Sequence, residues 1–590
     1  MTGATPLEAL RRELKRRELD GFIVPHVDAF RGEYIPPNAE RLAWLTGFSG
    51  SAGTAVVTMD DAAVFVDGRY TLQVATEVDT EQFQIRHLID EPQTGWITGT
   101  LKAGGRIGYD AWLHSINDVK KLSEAAQAAD GELVAVEGNP IDAVWTDQPA
   151  PPLAPIVAHA IEYTGLESTD KRRTLSEAMI VDEVDAVVLS ASDSIAWLLN
   201  VRGSDVEFSP LPLAFAILHD DAKVDYFLHP DKVSSDLKSH MGEDVSIHDP
   251  DTFGTVLDNL AKAGKTVAVD AATAPVWISH RLRDGGIEPI NRSDPCQLPK
   301  AIKNEVELKG MRTAHRRDGA ALTTFLAWLS REAVGGDITE ISAADHLEGL
   351  RARSDMFRGL SFPTISGAGA NGAIVHYRVD DDSNRKLESG SLYLVDSGAQ
   401  YPDGTTDVTR TVAIGTPTDE MRDRFTRVLK GHIAIARSRF GPDTPGSSLD
   451  RRARMALAEI GLDYDHGTGH GVGCYLNVHE GPQRISKQAN QVALRPGMVI
   501  SNEPGYYKSG AYGIRIENLV VVVADADDDM LGFETLTLAP IDRTLIDVSL
   551  LDREEIDWIN AYHSRVRGTL TPLIDDQTAD WLAKSTVPLD

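Results

Sequence analysis

Four acidic residues interrupt apolar, strand-like runs in the second half of this 590-residue sequence: Asp396 in LYLVDSG, Asp407 shortly after YPDG, Glu503 in VISNEPGYY and Glu517 in GIRIENL. A lone carboxylate buried among apolar neighbours is costly unless something offsets it. Two carboxylates held close together raise a pKa or call for a cation between them. Between the two pairs of acids lies HGTGHGVGCYLNVHEGP, residues 466 to 482, which sets His466, His470 and His479 among glycines. A helix would place His466 and His470 on one face, as in HExxH zinc sites, but glycines 467, 469, 471 and 473 oppose a helix and no Glu follows His466. The reading is a tight loop in which one histidine suffices as a ligand and glycine lets the backbone pass close to metal and substrate. Hard oxygen donors with imidazole suit Mn²⁺, Co²⁺, Zn²⁺ or Fe²⁺. Four carboxylates exceed the needs of one such ion, so two divalent ions and hydrolysis by a bridging hydroxide are expected.

The rest of the composition narrows the alternatives. A formal net charge of -31 opposes nucleic acid and anionic membrane as partners, because phosphate binding needs clustered Lys and Arg. No apolar run approaches the ~18 residues of a membrane span, and MTGATPLEALRRELKRRELD lacks the apolar stretch of a secretory signal, so a cytoplasmic protein is expected. The two cysteines, Cys296 and Cys474, make neither a disulfide framework nor a CxxC metal knuckle. Cys474 lies near His479 and raises a cysteine hydrolase as a rival, but that reading leaves four acids unexplained, and nothing nearby lowers the thiol pKa in an obvious way. GAGANG, 367 to 372, satisfies GxGxxG but leads into AIVHY, a strand signal, where a dinucleotide site needs a helix; it reads as a loop, and no cofactor-binding residue is assigned.

The elements that must position these groups follow from periodicity and punctuation. LEALRRELKRREL (7 to 19) reads as a helix and GFIVPH as a strand, an α/β opening. TDQPAPPLAP (146 to 155) reads as an exposed connector. AWLTGFSGSAGT and AWLLNVRGSDVE echo each other at an offset of 153 and DDA recurs at an offset of 160, so two related α/β domains in tandem are expected, the second carrying seven extra residues around EFSPLP. A third domain begins near Lys300, opening on a long amphipathic helix over 306 to 333. Residues 391 to 414 read as a hairpin across which Asp396 and Asp407 can face each other. Residues 418 to 440 and 448 to 461 read as helices capped by Thr418 and Ser448, and 497 to 523 as two more strands. Arg515, two residues from Glu517, is expected on the same strand face, within reach of a bridging carboxylate. The C-terminal stretch from Pro540 reads as a strand and then a helix.

LVDSGAQYPDGTTDVTRT, HGTGHGVG, VHEGP, SNEPGYY and GIRIEN, with ERLAWLTGFSGSAGT and DGRY earlier in the chain, resemble the pita-bread metallopeptidases, and specifically the aminopeptidase P family of the three-domain cytosolic type. The resemblance implies an α/β and α+β architecture: creatinase-like domains at 1–148 and 149–300 and a pita-bread catalytic domain at 301–590. It implies that Asp396, Asp407, His470, Glu503 and Glu517 are the ligands of two ions, commonly Mn²⁺, with Asp407 and Glu517 bridging. It also implies that His376, His466 and His479 contact substrate and help oppose the charge of a tetrahedral intermediate, and that Glu503 shuttles a proton. The activity implied is removal of the N-terminal residue from peptides with proline second, and the assembly implied is a homodimer, for which the apolar face of the C-terminal stretch is a candidate. Two rivals stand beside it. Prolidase shares the catalytic domain but cuts only dipeptides and generally carries one N-terminal domain, and some pita-bread proteins are non-catalytic binding modules, usually without intact ligands.

Overall fold

The computed structural model describes residues 5–525 and 529–590, and these fall into two compact units. One runs up to Gln297 apart from Glu162–Gly165; the other comprises Glu162–Gly165 and the chain from Leu298 onward.

Among the described residues, the first unit holds two six-stranded sheets. The strands of the first sheet lie in the order Gln84–His87, Ala62–Val66, Thr54–Thr58, Gly21–Pro25, Arg106–Asp110, Glu132–Val136. The second repeats that order with Val245–His248, Val224–Phe227, Phe215–His219, Ala186–Leu189, Val267–Val269, Ile290–Asn291. In both, the first strand in sequence is antiparallel to its neighbour on one side and parallel to a crossover strand on the other. The tandem echoes sit at matching places. Trp44 and Trp197 lie in the helices Arg41–Thr46 and Ser192–Leu199, and each DDA falls at the hairpin turn that follows. Within its echo the second copy also has a short strand, Val201–Arg202, which pairs with Val157–Ala158 after the proline connector. The opening helix forms over Pro6–Arg16 because Thr5 and Glu8 close a capping box and Leu7, Leu10 and Leu14 share a buried stripe.

In the second unit, Ile365–Ala368, Ser391–Ser397 and Val408–Ile414 form one sheet, and Glu480–Ile485, Gly469–Gly471, Val499–Asn502, Asn518–Ala524 and Leu531–Thr535 form another. The expected long helix spans Glu305–Glu332, capped by Asn304, and buries Leu322, Phe325, Leu326 and Leu329 with Tyr393 and Val395 of the first sheet. Each such side chain contributes about 1.5–3 kcal/mol through burial. Helix Asp419–Ala436 starts at Thr418 as expected, the hydroxyl accepting from the Met421 amide. Helix Asp450–Ala458 does not start at Ser448: that residue ends a 3-10 turn, and Leu449 precedes the helix without a side-chain cap.

Three further stretches differ from their expected form. The run 497 to 523 is four strands rather than two, Val499–Asn502, Gly505–Lys508, Tyr512–Arg515 and Asn518–Ala524, so Glu503 and Glu517 lie at the breaks and not inside strands. AIVHY is not a strand: a 3-10 turn over Gly369–Ala373 runs into a turn that carries His376, in which the amides of Ile374 and Tyr377 bond back to the carbonyls of Asn371 and Ile374 while the Asn371 and Tyr377 side chains both donate to Glu340. The C-terminal stretch has 3-10 turns at Arg543–Leu545 and Val548–Leu550 where a strand was expected, then helices Arg553–Leu570 and Asp576–Ser585. The apolar face of the first of these, with Ile556, Ile559, Tyr562 and Val566, is spent on this unit's own core, beside Phe425, Leu429 and Ile433.

Candidate metal centre

The hairpin brings the first two acids together. Ser391–Ser397 and Val408–Ile414 are antiparallel with Asp396 opposite Thr409, and a smaller hairpin, Gln400–Tyr401 with Gly404–Thr405, fills the gap. Asp407 therefore stands one residue ahead of the returning strand, beside Asp396. Glu517 arrives from the break before Asn518–Ala524, its amide donating to the Thr409 carbonyl and its Oε2 accepting from Thr409 Oγ1 at 2.8 Å. His470 is on the short strand Gly469–Gly471, whose ladder bulges at His470, and Glu503 follows Val499–Asn502 in the same sheet.

Ligand atoms of Asp407, His470 and Glu517 lie within 4.8 Å of one another. His470 Nδ1 is 2.9 Å from the Gly471 carbonyl, so that nitrogen carries the hydrogen and Nε2 keeps its lone pair. Nε2 is 3.5 Å from Asp407 Oδ2 and 3.6 Å from Glu503 Oε1, three acceptors turned toward one another. Asp396 Oδ1 and Asp407 Oδ1 are buried without a hydrogen-bond partner. Burial, and then the neighbouring charges of Asp396 and Glu503, push the Asp407 carboxyl well above the ordinary carboxylate range. Burial and the charge of Asp407 do the same to Glu517. Glu503 is pushed up to about 7 by burial, against the opposing pull of Arg515. Orphaned buried oxygens and a lone-pair nitrogen converging without a hydrogen to share are what a divalent cation relieves, so the donor set fits a metal, and four carboxylates against one guanidinium leave charge enough for two.

The remaining predicted residues surround this set. Arg515 donates to Asp396 Oδ2 from Nη2 at 2.6 Å and from Nε at 3.2 Å, so it holds Asp396 rather than either carboxylate expected to bridge. The strand ends at Arg515, and Glu517 belongs to the turn beyond, which separates their directions. His466 Nδ1 bonds the Gly467 carbonyl at 2.7 Å, and its Nε2 accepts from Tyr507 at 2.8 Å, whose hydroxyl in turn accepts from Arg515 Nη1 at 2.6 Å. His479 packs edge-on against His470 with ring centroids 4.3 Å apart. His376 is half-buried in the turn after Gly369–Ala373, an element that packs against the strands of Asp396 and Arg515. Two of the glycines have a reason within the fold: a Cβ at Gly469 would overlap the Ser501 carbonyl, and one at Gly471 the Glu480 carbonyl and Gln483 side chain. They are required by the packing of the neighbouring strands.

Sequence reasoning missed Thr409 and Tyr507, which link the arginine to both ends of the site, and Ser501, whose hydroxyl meets the His470 amide and Glu503. Their signal was present in the alternation of TTDVTRT and in the second tyrosine of PGYY. Cys474 is a core residue packed with Leu308, Met311, Val472 and Val499, which removes the thiol as a rival nucleophile.

The sequence model of metallopeptidase family M24 matches residues 309–524, that of the creatinase/prolidase N-terminal domain matches 6–144 and, in a second form, 147–307, and that of the C-terminal region of the M24 peptidases matches 529–589. Aminopeptidase P2 of Arabidopsis thaliana is 40% identical over 613 residues, covering 97% of this chain and 86% of that protein. The probable Xaa-Pro aminopeptidase P of Aspergillus niger is 40% identical over 605 residues, covering 99% and 98%. The crystal structure of X-prolyl aminopeptidase from Caenorhabditis elegans, described as a cytosolic enzyme with a di-nuclear active site, superposes with a TM-score of 0.95 at 35% identity over 100% of both chains. The Xaa-Pro dipeptidase of Bacillus anthracis shares the fold over 64% of this chain and 99% of its own, with a TM-score of 0.53 at 23% identity.

Proposed function

The chain belongs to metallopeptidase family M24, with creatinase/prolidase-type N-terminal domains, and from that premise we propose that it is a metal-dependent exopeptidase removing the first residue of peptides whose second is proline. The observation that carries this reading is the meeting of Asp407, His470 and Glu517, with Asp396 and Glu503 beside them, in a chain that aligns from end to end with Xaa-Pro aminopeptidases. A dipeptidase of the same fold spends 99% of its own length on 64% of this chain, too little to match the catalytic domain and both copies of the N-terminal module. That module favours the aminopeptidase over prolidase, and the intact donor set favours an enzyme over a binding module.

Asp396, Asp407, His470, Glu503 and Glu517 would hold two divalent ions, and we assign Asp407 and Glu517, which meet at His470, as the ligands the two would share. Divalent ions bound there would supply Lewis acidity at an amide carbonyl. Mn²⁺ suits a set of four carboxylates and one imidazole, with Co²⁺ and Zn²⁺ as alternatives. Glu503, whose Oε1 lies 3.6 Å from His470 Nε2, is the carboxylate we assign to hold and return a proton. His479, against the ring of His470, and His376 are assigned to the substrate carbonyl. His466 acts through Tyr507 and Arg515, which fix Asp396. An amide before proline is tertiary and has no N–H, so recognition rests on the ring's shape and the free amino end.

We place the protein in the cytoplasm, as its Caenorhabditis elegans relative is described; no helix among the described residues is long and apolar enough to cross a membrane. We keep the three-domain division at 1–148, 149–300 and 301–590, and a homodimer, for which sedimentation is the check. The test of function is cleavage of an Xaa-Pro-Yaa tripeptide and of an Xaa-Pro dipeptide, with metal content measured on the same protein. Turnover of the tripeptide is expected; cleavage of the dipeptide alone would assign a prolidase, and neither reaction with Mn²⁺ present would assign a binding module.

A further inference from the structure

The protein carries a net charge of -31, yet a cleft of about 670 Å³ in the second unit is lined by four arginines, Arg316, Arg317, Arg351 and Arg353, against a single acid, Asp575. One wall is a face of helix Glu305–Glu332, on which Arg316, Arg317, Ala320 and Thr324 recur at helical spacing, the alanine leaving space for the guanidiniums. The other wall is the end of helix Glu340–Arg351 and the loop that follows, and Tyr401 also lines the cleft.

The four arginines are of two kinds. Arg351 is fully buried and forks onto Asp318 at 2.9 and 3.0 Å. Arg317 forks onto Asp403 at 3.0 and 2.9 Å and lies 4.8 Å over the Tyr401 ring. Arg316 and Arg353 are exposed at the mouth, and neither guanidinium has a hydrogen bond or ion pair among the described residues. Asp403 and Asp318 account for Arg317 and Arg351, but the two guanidiniums at the mouth are met by one lining acid, Asp575, and like charges gathered in a cleft repel one another. The planar guanidinium fork matches phosphate and carboxylate, and the volume is that of a small-ligand site. We propose that this cleft binds a small multivalent oxyanion, a phosphate or a polycarboxylate, with Arg316 and Arg353 as its primary contacts.

Occupation would be felt at the metal centre, because the inner arginines hold the segment joining two of its acids. Arg351 donates to the Ser397 carbonyl at 3.4 Å and to that of Gly398 at 3.5 Å, next to Asp396. Tyr401 donates to Asp318 at 2.9 Å, and Arg317 grips Asp403, four residues before Asp407. An anion drawing on Arg317 competes with Asp403 for the same fork, so the loop from Ser397 to Thr406 has different partners in the filled and empty cleft, which is the differential contact that coupling requires.

The experiment titrates the metal-loaded protein with pyrophosphate and, separately, with tricarballylate by calorimetry, alongside the Arg316→Ala/Arg353→Ala double variant at the same Mn²⁺ concentration. Both probes bind Mn²⁺, and the variant carries that heat as the reference. At least about tenfold weaker binding by the variant, with unchanged metal content and thermal midpoint, is expected. The probe that binds identifies phosphate or carboxylate as the chemistry. Equal binding by both proteins, or none beyond chelation, overturns the site. Amide exchange of residues 397–406 is expected to change with the bound probe in the parent protein only; binding without that change overturns the coupling.

Discussion

Two buried acidic places in the second unit are handled in opposite ways. Glu480, in VHEGP, is completely enclosed and receives two buried ammonium groups, Lys300 at 3.0 Å and Lys303. Asp396, Asp407, Glu503 and Glu517 share one arginine, which is committed to Asp396, and two of their oxygens have no partner. The fold can supply cations to a buried carboxylate ten residues from His470 and does not do so at the cluster itself. The lesson is that missing counter-charge is local and specific: where the chain needs structure it pairs the acid, and where it is to hold a divalent ion it leaves the acids in excess.

The largest effect should come from removing charge where it is in excess. Asp407→Asn is expected to lose both ions and to lower Xaa-Pro-Yaa cleavage on the order of 10³-fold or more, with the chain still folded, as read by metal analysis and assay together. Full metal occupancy with unchanged turnover would break the comparison. Next is the paired acid: Glu480→Gln takes away the carboxylate that both lysines bind and should cost about 3–5 kcal/mol of stability, measured by denaturant unfolding, while the folded fraction still takes up metal. Arg515→Lys keeps the charge but not the fork on Asp396 and Tyr507, and should weaken metal affinity about 10–100-fold with little change in stability.

The smallest effect is in pH. Burial raises the carboxyls of Asp407, Glu503 and Glu517 above their unfolded values, so the metal-free folded chain binds more protons than the unfolded one. Its stability should therefore fall as pH rises from the ordinary range near 4.5 through the Glu503 value of about 7. Thermal midpoints of chelated protein across that window are expected to decline, and Mn²⁺ to flatten the decline; a rise with pH would mean that the acids are already compensated.

The long helix from Glu305, the hairpin carrying Asp396 and Asp407, and the tandem sheets were legible because each is written in short-range pattern: periodicity, a PDG turn, a repeated DDA. The readings that failed depended on partners far along the chain. The strands around Glu503 and Glu517 break because the segments on either side join different sheets, and AIVHY turns with Asn371 and Tyr377 both held by Glu340, 31 and 37 residues earlier in the chain.

By itself, the sequence determined which groups are available: four acids set among apolar residues, three histidines among glycines, and no thiolate motif to hold a metal in their place. Composition and local spacing suffice for that, since the cost of burying a carboxylate belongs to the residue and its near neighbours. Only the tertiary structure decided how those groups are oriented and which cations they are denied. It set Arg515 on Asp396, turned the His470 lone pair toward Asp407 and Glu503, and sent Lys300 and Lys303 to Glu480, because Coulomb and hydrogen-bond energies depend on distances that only long-range packing sets.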